Sequence, residues 1–137
     1  MTPSPASDVP VSDAHRRAGI AAHAADEKKG EEIVVLDVGD IISIAEAFVM
    51  VSASNTRLVR TIVDEIELAL KLADDEGPRS VEGLADATWV LMDYGDVIVH
   101  VFLEETRSFY DLDRLWADAP AVDWEPLAPL AERAGRV

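Results

Sequence analysis

Two branched-aliphatic runs, IVVLDV at 33–38 and AFVMVSA at 47–53, constrain this chain more than anything else in it. A strand with one solvated face alternates apolar and polar residues; these runs do not, so each reads as a strand covered on both faces and central in a sheet. A sheet of that kind needs other layers packed on it. Between Ser54 and Gly77-Pro78 the chain supplies one: Val59, Ile62, Val63, Ile66, Leu70 and Ala73 recur every three or four residues, which predicts an amphipathic helix with one buried face. Strand, helix, strand implies a parallel crossover.

The flanking segments complete the domain. Residues 1–11, with three prolines, read as a disordered lead-in. Ser12 is placed to cap a helix over 13–29 that ends in Lys28-Lys29, with Gly30 where a left-handed cap is wanted. His15 and His23 lie eight residues apart on it, not at the one-turn spacing of a helical metal pair, and read as solvent-exposed. After a turn-rich link, WVLMDYGDVIVHVF (89–102) predicts a β-hairpin, and SFYDLDRLW (108–116) a short helix through Phe109, Leu112, Leu115 and Trp116 that stops before Pro120. Residues 121–137, with the lone aromatic Trp124, read as a flexible tail. The expected architecture is an α/β domain over 12–120 with a mixed sheet of about four to five strands and flanking helices.

Composition narrows the function. The chain of 137 residues has no cysteine, which excludes disulfides, thiol nucleophiles and Cys-ligated zinc. No apolar run approaches the roughly 20 residues that span a bilayer, and the N-terminus lacks a secretory layout, so a cytoplasmic location is expected. Of the net charge of -15, residues 1–30 contribute nothing; residues 31–137 hold 23 acids against 8 bases. Such a surface disfavours extensive nucleic-acid contact and suits a basic protein partner, or simply keeps the protein soluble.

The candidate chemistry is sparse. VSASNTR (51–57) joins a strand to a helix, and without a glycine-rich fingerprint Ser54, Asn55 and Thr56 read as ordinary capping residues. A nucleotidyl transferase would need two acids on alternate strand positions to hold magnesium, yet Asp96 is followed two positions later by Ile98, with no Gly-Ser pair upstream and no basic residue between Val81 and Glu105. His100 has no Gly-x-Ser-x-Gly elbow to work with. With a two-residue turn at Gly95-Asp96, Trp89, Leu91, Asp93, Ile98, His100 and Phe102 share one face of the hairpin, and Val90, Met92, Val97, Val99 and Val101 share the other. The first face has the composition of a partner-binding patch; it is equally that of a second buried layer with His100 as a core histidine.

The segments ADEKKGEEIVVLDV, EAFVMVSASNTR, WVLMDYGDVIVHVF and RSFYDLDRLWADAP, in this order and spacing, resemble the ribosomal silencing factor (Iojap-like) family from about residue 13 to Pro120. Ala53 departs from it, standing where the family usually has glycine. The resemblance implies a fold like a nucleotidyl transferase core without its active site. It implies binding to ribosomal protein number fourteen of the large subunit, a steric block to subunit joining, and repression of translation when nutrients are short. Trp89, Asp93, Tyr94, Asp96, His100, Arg107 and Tyr110 carry over as binding and supporting residues, with no catalytic residue, metal, cofactor or membrane contact and with a homodimer off the ribosome left open. The competing readings are a degenerate nucleotide-binding enzyme of nucleotidyl transferase type and an acidic module for an unrelated partner.

Overall fold

The computed structural model describes residues 12–127; the expected lead-in at 1–11 lies outside them. Helix α1 spans Asp13–Glu27, and its first turn is closed by Ser12, whose Oγ accepts from the His15 amide at 3.0 Å. Its buried face is mostly alanine, Ala14, Ala18, Ala21, Ala22 and Ala25, so the helix backbone lies close on the sheet. The left-handed residue at its end is Lys29 (φ 67°) rather than Gly30. Gly30 serves close approach instead: its amide donates to the Ala25 carbonyl at 2.8 Å, and a Cβ there would fall 2.6 Å from Val51 Cγ1.

Strands β1 (Glu31–Asp37), β2 (Ala47–Ala53), β3 (Ser80–Glu82), β4 (Trp89–Asp93), β5 (Val97–Leu103) and β6 (Ala121–Val122) form one mixed sheet in the order β3-β4-β5-β2-β1-β6. Only the β2–β5 pairing is parallel. Every residue of β2 is buried, as its continuous apolar run requires. The sheet exceeds the expected four to five strands because β3 and β6 have three and two residues, too short to leave a period in the sequence.

Helix α2 (Thr56–Asp74) makes the crossover from β2 to the far edge at β3. Asn55 caps it, accepting from the Leu58 amide at 2.8 Å, and Asp75 ends it in the left-handed region at φ 55°. Its buried positions are Val59, Ile62, Val63, Ile66, Ala69 and Leu70; Ala73, expected inside, is exposed. Burying each large aliphatic side chain stabilises by roughly 1.5–3 kcal/mol, against about 0.5 kcal/mol for an exposed pair such as Lys71–Asp75, so packing on the sheet decides where this helix sits.

Helices α1 and α2 cover the face lined by Val35, Val49, Val51, Val90, Met92, Val97, Val99 and Val101. The opposite face carries a second, smaller core of Leu36, Phe48, Met50, Ile98 and Phe102. Two short helices, α3 (Glu104–Tyr110) and α4 (Leu112–Leu115), lie on that side and add buried Leu112 and half-buried Trp116.

Two expectations change here. The start of the C-terminal segment is docked rather than flexible: β6 pairs with β1, Trp124 Nε1–H donates to the Ile33 carbonyl at 3.3 Å, and buried Leu127 packs where α1 has Gly19. The edge of β1 offers free backbone groups and α1 an apolar surface, and 121–127 uses both; residues 128–137 lie outside the described part. The two histidines are engaged, not free in solvent: His15 Nε2 lies 3.2 Å from Asp37 Oδ2, and His23 Nε2 is 2.9 Å from the Glu125 carbonyl with its ring edge-on to Trp124. Among the described residues no helix is long and apolar enough to cross a membrane.

Candidate partner-binding site

The Tyr94 amide donates to the Val97 carbonyl at 2.9 Å, which makes Gly95-Asp96 a two-residue turn with Gly95 at φ 92°. Trp89 then pairs with Phe102, Leu91 with His100 and Asp93 with Ile98, placing these six on the face away from α1 and α2, as the alternation of the sequence requires.

The same register moves Tyr94 to the helix side. It is not an exposed residue of the hairpin tip: it is 4% exposed within the main core, with the Arg17 guanidinium 5.7 Å from its ring centroid. Burial, with the nearby Glu67 carboxylate, pushes its phenol above the usual value, and its hydroxyl has no hydrogen-bond partner among the described residues. Asp93 and Asp96 hold the turn. Asp93 Oδ1 accepts from the Gly95 amide at 2.8 Å, and the Asp96 carboxylate pairs with Arg17, which also meets Asp74 at 3.4 Å and Glu76 at 2.7 Å. A shallow cavity of about 360 Å³ beside this turn is lined by Ser43, Glu46, Arg79 and Asp96 among others, and includes none of the aromatic residues discussed below. Among the described residues there is no group of three or more His, Asp or Glu arranged to hold a metal ion.

His100 is the core histidine that the sequence left open. It is 8% exposed, stacked parallel on Phe102 at 5.7 Å and edge-on to Phe48 at 4.9 Å. Its Nδ1 accepts from Trp89 Nε1–H at 3.2 Å, which puts the ring proton on Nε2. Nε2 has no partner among the described residues, and burial drives the imidazole pKa down to about 4. Arg107, 4% exposed, is likewise interior, bonded to the Glu32 carbonyl, Ser52 Oγ and Asp113.

What remains open is aromatic. Half-buried Trp89 lies 5.3 Å from Phe102 on one side and 5.8 Å from Tyr110 on the other, and Tyr110 is 57% exposed. Phe109, 80% exposed, meets the Tyr110 ring edge-on at 4.9 Å, and Leu115 is 68% exposed. Of the seven carried-over residues, Trp89 and Tyr110 thus meet on one open surface, while Tyr94, His100 and Arg107 are buried and Asp93 and Asp96 build the turn. Of the apolar residues read into one short helix, Leu112 is buried and Trp116 half-buried, while Phe109 and Leu115 point out. The spacing held the signal: in α3 the buried position is Arg107, and Phe109, two residues on, lies roughly 200° around the helix from it. Acids border the patch at Glu104, Glu105, Asp111 and Asp113, and the Glu104 carboxyl is raised by its hydrogen bond to Glu31 and by the charge there.

The chain matches the family model described as ribosomal silencing factor during starvation over residues 11–136. It belongs to the ribosomal silencing factor family. The match takes in residues 121–136, beyond the Pro120 limit read from the sequence, in keeping with the docked 121–127 segment. A ribosomal silencing factor of Bacillus subtilis is 42% identical over 106 residues, 76% of this chain and 87% of that protein. A mouse relative named mitochondrial assembly of ribosomal large subunit protein 1 is 28% identical, covering 66% of this chain and 40% of its own length. The crystal structure of a Chromobacterium violaceum protein superposes with a TM-score of 0.73 at 29% identity, covering 77% of this chain and 88% of that one. The relatives place the chain among proteins named for ribosome silencing.

Proposed function

We propose that this protein binds the large ribosomal subunit through ribosomal protein number fourteen, blocks association with the small subunit sterically, and represses translation when nutrients are short. The observation that carries the reading is the open aromatic surface of Trp89, Tyr110 and Phe109, with exposed Leu115 on the next helix, on an otherwise acidic domain. Large aromatics at the centre of a contact supply most of its binding energy, and an acidic domain steers a basic partner toward them. The names of the relatives supply the class of partner, silencing of the ribosome in one and assembly of a ribosomal large subunit in another. With 23 acids against 8 bases in residues 31–137, a basic protein is a better target than ribosomal RNA. The protein acts in the cytoplasm by occupying a surface rather than by chemistry, without metal or cofactor, and off the ribosome the same face is open to a second copy.

Sedimentation with purified subunits tests this. The protein should comigrate with the large subunit alone and reduce the yield of joined ribosomes in proportion to its occupancy. Comigration with the small subunit, or full occupancy with undiminished joining, would overturn it.

A further inference from the structure

Arg107 lies beneath the open aromatic face without reaching it. Nη1 donates inward to the Glu32 carbonyl at 2.8 Å and Ser52 Oγ at 2.9 Å; Nε and Nη2 donate sideways to Asp113 Oδ1 at 3.2 and 2.9 Å. The guanidinium also sits 5.9 Å from the Phe102 ring centroid. One side chain of α3 therefore ties itself to β1, β2, β5 and α4.

Between Arg107 and Asp113 the backbone bends at Asp111, at φ 51° and ψ 49°, the left-handed region that a residue with a Cβ enters only at a cost. The bend sends Leu112 inward and leaves Phe109, Tyr110 and Leu115 outward. Helix α4 has four residues, too few to hold a helical geometry by its own hydrogen bonds. Its one buried side chain is Leu112; the Asp111 amide closes the bend on the Arg107 and Ser108 carbonyls, and the Arg107–Asp113 pair is the side-chain contact that ties α4 back to α3 across it.

We propose that the Arg107–Asp113 clamp is the positioning device of the docking face: it holds the bend at Asp111 so that Tyr110 stays against Trp89 with Phe109 and Leu115 turned out, and it sets partner affinity without touching the partner. The inference rests on the docking surface proposed above. A patch held in its bound shape binds more tightly because no ordering cost is met on contact. Asp113 is exposed, so its carboxylate can be removed without opening the core, and Arg107 keeps its bonds to Glu32 and Ser52.

The test compares the full chain with Asp113→Ala, Tyr110→Ala and the double variant, by thermal unfolding, amide hydrogen exchange and large-subunit binding. Asp113→Ala should unfold normally, exchange faster over 111–116, and bind about tenfold more weakly. In the Tyr110→Ala background it should cost clearly less than tenfold, since one of the side chains it positions is gone. Arg107→Lys, which keeps the charge but loses the fork, should follow Asp113→Ala where it folds. Unchanged exchange at 111–116 in Asp113→Ala overturns the clamp whatever the partner. Faster exchange with unweakened binding, or two defects that multiply in the double variant, overturns its role in affinity. Normal binding by Tyr110→Ala instead overturns the docking surface, and the clamp's role in docking falls with it.

Discussion

The indole N–H of Trp89 donates to Nδ1 of His100 across the β4–β5 ladder at 3.2 Å, so a residue of the open face is oriented by one that is sealed beneath it. That bond needs a neutral imidazole, because a protonated ring has no acceptor nitrogen left.

The pH dependence follows with a definite sign. The unfolded chain takes up a proton on His100 near pH 6.5, whereas the folded chain refuses it until about pH 4. Its contribution is fully present above pH 6.5 and is lost as pH falls toward 4, by roughly 3 kcal/mol in all. Urea unfolding of the wild type and His100→Gln at pH 7.5, 5.5 and 4.5 should show a shallower loss in the variant, with His15 and His23 common to both. Equal slopes would mean that His100 is not held neutral.

Tyr110→Ala and Phe109→Ala should leave stability within about 0.5 kcal/mol, since both rings face solvent, yet weaken large-subunit binding by roughly 2 kcal/mol, about thirtyfold. Trp89→Ala should damage both, because the ring also packs on Phe102. Binding titrations beside melting curves separate the two effects.

Tyr94 should behave as a core residue. Tyr94→Ala is expected to cost about 3–4 kcal/mol of stability. Tyr94→Phe should be neutral or stabilising, because the buried hydroxyl has no partner among the described residues to lose, and should bind the large subunit as the wild type does. A folded Tyr94→Phe that fails to bind would return this residue to the interface.

Truncation before Ala121 should destabilise the domain by about 3 kcal/mol, from exposure of the β1 edge and loss of the Trp124 and Leu127 contacts. Calorimetry should show a melting temperature lower by roughly ten degrees. An unchanged melting temperature would mean that 121–127 adds nothing to the core.

The sequence by itself determined the long elements and the faces of the sheet, though not the short strands β3 and β6 or the break at Asp111 that divides the expected 108–116 helix into α3 and α4. Short β-branched runs without alternation read as covered strands, and the period of two in 89–102 assigns each side chain to a face once a two-residue turn sets the register. It also carried the family, through Trp89, the Asp93 to Asp96 turn and the Arg107 to Tyr110 segment. What it could not say is which of those residues would be reached by a partner. Alternation assigns a face but not what lies over that face: His100 and Phe102 are sealed by Phe48 and the layer beyond it, while Trp89, on the same face, stays half open beside Tyr110. Tyr94 and Asp96 sit two residues apart at one turn, yet one is in the core and the other is paired to Arg17, 79 positions away. Burial depends on which distant segments arrive, and only the packing of α1, α3 and the 121–127 segment onto the sheet decided that.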